Sequence, residues 1–376
     1  MTSGRPDVIQ IVQPFVPTYR KPLFDAISAE LGKNGYRLEV LHDSPRGRVA
    51  ARGNADTGVW SVPIRQRRIS VKSHNITYRH VHSRARCAAA VIAGLASTNL
   101  ETYALALDPS VNLMLWGHGR NFTSKNNGVD QALEAWLARR ASHIFTYTDE
   151  GKAHVVASGI DEDSITVVEN TTDADLLREL QLAVSSSVER EIRSRYDLVD
   201  RRILLFVGAF DASKELGFLF EAADLIAKQL PDVALVVAGA GPEEKRVQEY
   251  VGSREYARAV GRLDANGLAQ WSNLAELLVV PGRVGLVAVD SLALGLPIAT
   301  TDYPYHAPEA AYLKAGVDSL WAAFDTVKYA EAVVDILSDR TALASMRESA
   351  RMAGGRFSVG ATASRFVQGI LSGLGK

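Results

Sequence analysis

Apolar and polar positions along the chain fall into two successive series of β-loop-α units. In the first, Val8 to Val12 (VIQIV) reads as a strand and Pro14 to Arg20 as a loop. Pro22 to Leu31 reads as a helix, because Leu23, Phe24, Ile27 and Leu31 recur at helical spacing. Leu38 to Leu41, Val111 to Leu115, His143 to Tyr147 and Ile165 to Val168 read as short buried strands, separated by helical stretches such as Gln131 to Arg140. The alanine-rich run Cys87 to Ala96 is about half the length that spans a bilayer, and it is expected to be a buried helix.

The pattern restarts at Arg202. Ile203 to Val207 ends in Gly208, a loop reaches Lys214, and Leu216 to Gln229 is helical; Val233 to Val237 then runs into Gly239-Ala240-Gly241-Pro242 before another helix. Leu277 to Val280, a helix from Gly285 to Gly295, Ile298 to Thr300 and terminal helices within Tyr329 to Met352 continue it. Alternation of this kind predicts α/β architecture with parallel sheets. Two doubly wound, Rossmann-like domains are expected, residues 1–180 and 181–376, with the terminal helix able to cross back to the first. The charged segment Asp173 to Asp200, with its serine run at 185–187, is the expected joint. A ligand is then expected between the domains, at the carboxyl ends of the strands.

Composition narrows the class. The 376 residues are 47% hydrophobic and 23% charged, enough to bury sizeable cores and too apolar for a disordered chain. A net charge of -1 leaves no chain-wide field to attract nucleic acid or membrane. The single cysteine, Cys87, excludes an internal disulfide and a multi-cysteine metal site. No apolar run follows a basic start at Met1 to Asp7, so no signal peptide is expected and the reading is cytoplasmic. Charge is uneven, however. Thr57 to Leu100 contains no Asp or Glu but carries Arg65, Arg67, Arg68, Lys72, Arg79, Arg84 and Arg86. This stretch is either a solvated basic face or a patch for anionic lipid head groups or a pyrophosphate-bearing acceptor, which would place the protein at the inner face of a membrane. With few aromatics to stack on bases, nucleic acid is not an expected partner.

The chemistry concentrates in the second half. Lys214 lies between a buried strand and a helix, where its ammonium and the helix N-terminus would both face an anion; an exposed loop lysine is the alternative. Gly208, Gly239 and Gly241 permit close backbone approach to a ligand, or simply end strands and open turns. In PGRVGLVAVDSLALGLP (281–297), amides at Gly285, Leu286 and Val287 are placed to bind a diphosphate, and Asp290 to take a ribose hydroxyl.

These segments, with the Gly261-Arg262-Leu263 turn, resemble the nucleotide-sugar domain of retaining glycosyltransferases, particularly family 4 of the GT-B fold, over most of residues 202–352. In the first half, Pro17-Thr-Tyr19-Arg20 is similar to the opening acceptor-side loop of such enzymes, Val167-Val-Glu-Asn170 to the strand before the interdomain crossing, and Trp116-Gly-His118-Gly-Arg120 to the place of an active-site histidine. The resemblance implies a GT-B protein with two domains facing a central cleft. It implies that Lys214 binds the donor diphosphate and stabilises the leaving group, that Asp290 holds the ribose, and that His118 contacts the donor sugar near the anomeric centre. Gly285, Leu286 and Val287 would contact phosphate or sugar, Arg262 and Leu263 would border the base, and Tyr19 and Arg20 would meet the acceptor. A structural role is the alternative for His118.

Two positions depart from the family pattern. The first acid of its paired-acid motif, eight before Asp290, is Gly282, and the arginine usually five before the lysine is Ala209. Arg283 is a candidate replacement, through a bidentate phosphate contact. His306-Ala-Pro-Glu309 resembles a further segment near the donor. Asp161-Glu-Asp163 and Asp173-Ala-Asp175 match the bare Asp-x-Asp spacing of diphosphate-bound metals, but they fall in a turn and in the expected joint. No metal and no cofactor beyond the sugar donor are expected. The function implied is metal-independent, retaining transfer from a nucleotide diphosphate sugar to an acceptor hydroxyl of a glycan or lipid-linked intermediate, in glycolipid or polysaccharide biosynthesis. No carboxylate nucleophile is evident, which points to a front-face mechanism. A nucleotide-sugar epimerase and a non-catalytic GT-B partner protein are the alternatives.

Overall fold

The computed structural model describes residues 7–44, 57–71, 74–119 and 128–375. The chain forms two compact units, Met1–Asp173 with Val359–Lys376, and Ala174–Ser358.

The first unit contains β1 (Asp7–Gln13), β2 (Tyr36–His42), β3 (Ser61–Pro63), β4 (Gln66–Val71), β5 (His74–Arg79), β6 (Ala90–Gly94), β7 (Leu113–Gly117), β8 (His143–Thr146) and β9 (Ile165–Val167). Seven of these form a parallel sheet in the order β3-β2-β1-β6-β7-β8-β9. The winding reverses between β1 and β6. Helix Lys21–Lys33 returns from β1 to β2 and buries Leu23, Phe24, Ile27 and Leu31, the positions its periodicity marks. Strand β6 corrects the expectation of a helix over Cys87 to Ala96. A short apolar run has the same burial signature in a buried strand as in a helix. What decides here is the open edge of β1, where Ile9 pairs with Ala90 and Ile11 with Ile92. Strands β4 and β5 form a separate antiparallel hairpin, which the charge pattern does not foretell.

Helix Val359–Gly373 belongs to this unit. Its Gly369 lies so close to the sheet that an added Cβ would stand 2.5 Å from Phe145 and 2.8 Å from Thr166 Oγ1; one at Gly373 would stand 2.7 Å from His143 and Met114. These two glycines, one helical turn apart, let the helix axis approach the strands. Phe366 then stacks on Phe145 at 4.4 Å and meets Trp116 edge-on at 4.9 Å. Arg365 pairs with buried Glu169 at 2.8 Å and donates to the Val168 carbonyl, tying the helix to the carboxyl end of β9.

The second unit contains β10 (Arg202–Ala209), β11 (Val233–Ala240), β12 (Ala257–Gly261), β13 (Ala275–Val279), β14 (Ile298–Thr301) and β15 (Ser319–Ala322). All are parallel, in the order β12-β11-β10-β13-β14-β15, with the reversal between β10 and β13. The division falls at Asp173/Ala174. Residues read as a joint are mostly helical, in Ala174–Leu182 and Ser186–Arg195, and the serine run supplies an N-cap, Ser185, whose hydroxyl accepts from the Val188 amide. Helix Ala174–Leu182 is bonded into the second unit: Arg178 donates to the Ala293 and Gly354 carbonyls, and Gln181 to Ser272 and to the Leu294 carbonyl.

His143 gives the first unit an acid-sensitive contact. Its Nε2 meets Thr166 Oγ1 at 2.7 Å beneath the terminal helix, and burial pushes its pKa down to about 4. The unfolded chain, with an ordinary histidine, therefore binds more protons over this interval, so stability is present above about pH 6.5 and lost as pH falls towards 4. We expect a loss of roughly 2–3 kcal/mol across that interval, measured as the urea midpoint against pH, and a flatter profile in His143→Asn.

Candidate functional site

The reversal between β10 and β13 sends their connections to opposite faces and leaves a crevice at the strands' carboxyl ends. The turn Ala212–Lys214 follows β10, and the loop after β13 leads into helix Val287–Leu294. The two backbones are in contact: the Arg283 amide donates to the Ser213 carbonyl at 2.8 Å, and the Lys214 ammonium donates to the Arg283 carbonyl at 2.6 Å. A Cβ at Gly282 would stand 2.6 Å from the backbone of both Ser213 and Lys214. Gly282 is thus where the departure from the paired-acid motif has a physical cause: no side chain fits. Burial lowers the pKa of Lys214, Asp211 opposes the shift and Arg283 adds to it. An ammonium held with one carbonyl partner in a half-buried crevice is short of the negative charge that would stabilise it.

His306, singled out only as part of a family-like segment, turns out to hold the β13 loop. The Val284 amide donates to its Nδ1 at 3.1 Å, while its Nε2 lies 2.8 Å from the Thr301 carbonyl. The ring must be neutral and protonated on Nε2 to make both bonds. Burial lowers its pKa, with Lys214 and Arg283 contributing to the lowering. Arg283 Nε is bonded to the Tyr305 carbonyl at 2.8 Å, which fixes part of that guanidinium.

The remaining second-domain candidates sort by position. Gly285, Leu286 and Val287 open the helix, where first-turn amides lack intrahelical partners, and Asp290 lies within its first turn. Gly208 ends β10, with Lys214 Cε 3.4 Å from where its Cβ would be. Gly239 and Gly241 pack against the backbone of Gly208 and Phe210, at 1.9 and 2.4 Å from an added Cβ, so their smallness is used for strand-exit packing. Arg262 is exposed and Leu263 half-buried after β12. Asp161 caps its own turn by accepting from the Asp163 amide, and Asp175 pairs with Arg178. Among the described residues no group of three or more His, Cys, Asp or Glu is placed to hold a metal.

The first domain has its own crevice at its own reversal point, of about 350 Å³. Its walls come from the exits of β1 and β6, with Arg20, Trp116, His118 and Tyr147 among the lining residues. Arg20 donates to Gln13 Oε1 at 3.1 Å and to the Tyr147 hydroxyl at 2.8 Å, and its guanidinium lies 4.6 Å from the Trp116 ring. Exposed His118 lies 4.8 Å from the Tyr147 ring, before Gly119 in the left-handed region at φ 73°. Tyr19 and Arg20 thus share one wall system with His118. Gln13 and Tyr147 are not candidates from sequence, and Trp116 enters there only as the first residue of the His118 segment; their position at strand exits was the available signal.

The basic stretch is not uniformly exposed. Arg65, Arg67, Arg68, Arg84 and Arg86 are exposed, and Arg86 pairs with Asp108 at 2.8 Å. Arg79 is a correction: it is 5% exposed and paired with Glu101, itself 1% exposed. An arginine so enclosed reaches a counter-ion, here one just outside the acid-free window, and cannot serve a membrane. Lys72 and Arg120 lie outside the described residues. No helix among the described residues is long and apolar enough to cross a membrane.

Comparison with known proteins bears on the fold. Residues 201–339 match the family described as Glycosyl transferases group 1. The whole chain superimposes on the Anabaena protein HepE, solved in complex with UDP, with a TM-score of 0.67 and 14% identity over 97% of this chain and 100% of that one. The fold is that of GT-B glycosyltransferases. Among curated relatives of this GT-B chain, D-inositol 3-phosphate glycosyltransferase 2 of Catenulispora acidiphila is 30% identical over 64% of this chain and 57% of its own. Alpha-D-kanosaminyltransferase of Streptomyces kanamyceticus is 25% identical over 45% of each chain. The chain thus spans about half the length of these relatives.

Two outcomes follow for the loops after β13 and β14. Gly282→Glu, which inserts the acid of the motif that the sequence resembles, is expected to destabilise by about 1–3 kcal/mol through overpacking, read by thermal melting. His306→Ala leaves the Val284 amide and Thr301 carbonyl without their partner. It is expected to cost about 1–3 kcal/mol, measured by denaturant unfolding.

Proposed function

We propose that the protein transfers a sugar from a nucleoside diphosphate sugar to an acceptor hydroxyl, with retention at the anomeric carbon. The observation that carries this reading is the desolvated Lys214 ammonium, held over the loop that opens helix Val287–Leu294. A diphosphate there would supply the missing negative charge and accept from the amides of Gly285 to Val287. Asp290, within the first turn, would take a ribose hydroxyl, and the exposed face of Arg283 a phosphate oxygen. Arg262 and Leu263 would border the base.

As the bond from the anomeric carbon to the departing phosphate breaks, charge accumulates on that phosphate. Lys214 and the helix amides would stabilise it without moving, since both are already fixed by backbone contacts. The phosphate, at its most basic then, would take the acceptor hydroxyl proton from the same face. His118, at the β7 exit, would contact the donor sugar, and Tyr19 and Arg20 the acceptor. With Lys214 supplying the cation, turnover would need no metal. Support comes from the group 1 match, from relatives named as glycosyltransferases, and from UDP in the HepE structure. A glycan or lipid-linked intermediate is the acceptor class this reading favours.

The test is release of nucleoside diphosphate from UDP-, GDP- and dTDP-sugars, with and without EDTA, in wild type and Lys214→Ala. One base is expected to stabilise the protein thermally and to be turned over in EDTA. Lys214→Ala should lower turnover by about a hundredfold or more, as for loss of a charged transition-state donor. Absence of binding to every nucleotide sugar would count against the reading. Anomeric configuration of the product by NMR tests retention.

A further inference from the structure

We infer that the first-domain crevice binds an oxyanion, the phosphate or carboxylate of a small hydroxylated ring, on the guanidinium of Arg20. An arginine side chain stays protonated at any pH the fold survives. Every partner that Arg20 has among the described residues is neutral: Gln13 Oε1, the hydroxyls of Tyr147 and Tyr19, and the rings of Tyr19, Trp116 and Tyr147. Its Nε is enclosed and has no hydrogen-bond partner.

The contrast with Arg79, which lines the same crevice, is instructive. Arg79 faces Glu101 and Gln66, so its charge is balanced inside the protein. Among the described residues Arg20 has no such carboxylate within salt-bridge distance, and a half-buried charge without one is costly. A neutral side chain would bridge Gln13 and Tyr147 without that penalty. Among its described lining residues the crevice therefore carries one positive charge, on Arg20, that no carboxylate of the fold balances.

The rest of the lining describes what accompanies the anion. At about 350 Å³ the crevice is at the small end of ligand sites, with room for one ring. Trp116, Phe15, Pro14 and Pro17 give it apolar surfaces, while Asn99 and His118 provide polar groups for hydroxyls. Calling this ligand the acceptor rests on the transferase reading above; anion binding does not.

The test uses the full chain and calorimetric titration with glucose 6-phosphate, glucuronate and glucose, together with sedimentation on phosphatidylcholine vesicles doped with phosphatidic acid. At least one charged probe is expected to bind about tenfold or more tighter than its neutral counterpart, glucose or undoped vesicles. Preference for the sugar phosphate, the uronate or the doped vesicles identifies the source of the oxyanion. Arg20→Gln should lose about tenfold or more of that affinity, and Arg20→Lys should keep part of it. Gln13→Glu places a carboxylate beside an intact Arg20 and should lose as much without loss of fold, read from its melting temperature. UDP binding should be unchanged in all three. Charged probes no better than neutral ones, or affinity retained in Gln13→Glu, would overturn the inference. Anion binding without any nucleotide binding would sink the transferase reading and leave this one standing.

Discussion

Parallel strands cannot be joined by tight turns; each needs a crossover that climbs one face of the sheet and re-enters from the same end, and the hand of that crossover is constrained. Where the order of strands reverses, two neighbouring strands must therefore send their chains to opposite faces, and the loops that leave them meet only at the strands' carboxyl ends. In the first domain the reversal lies between β1 and β6, and in the second between β10 and β13. Arg20, Trp116 and His118 surround the first crevice, while Lys214, Gly282 and Gly285 line the second. The chemistry of each domain is located by topology before any side chain is chosen.

Within the second crevice, backbone contact decides which side chains are allowed. Because Gly282 rests on Ser213 and Lys214, a side chain is excluded at the position where the motif that this sequence resembles has an acid. The same contact brings the Arg283 carbonyl to the Lys214 ammonium and takes the ammonium out of water. His306 completes the arrangement from β14, accepting from Val284 and reaching the Thr301 carbonyl with a neutral ring. Three loops that are far apart in sequence thus hold one cation in a fixed place, the condition for electrostatic stabilisation without reorganisation.

The first domain is completed from the far end of the chain. Helix Val359–Gly373 covers Phe145 and Trp116 through Phe366, approaches the strands at Gly369 and Gly373, and clamps the β9 exit through Arg365 and Glu169. Trp116 and Tyr147, which support Arg20, are thereby linked to the terminal helix through tilted and edge-on ring contacts. The helix is both a lid on the core and a brace for the crevice.

Much of this was legible in the residues themselves. Helix Lys21–Lys33 shows its buried face in Leu23, Phe24, Ile27 and Leu31, and the β-loop-α rhythm places Lys214 at a strand exit, because burial of a single element imposes its own period on the local sequence. Pairing does not. The run Ala90–Gly94 became a strand because β1 had an open edge beside it, and the Asp173 to Asp200 segment joined the second domain through bonds from Arg178 and Gln181 to residues about a hundred positions away. Arg20 and Arg79 look alike in sequence; one meets Glu101 and the other meets only neutral groups. A charge takes its meaning from what is opposite it in space, and that is decided only when the distant parts of the chain have packed.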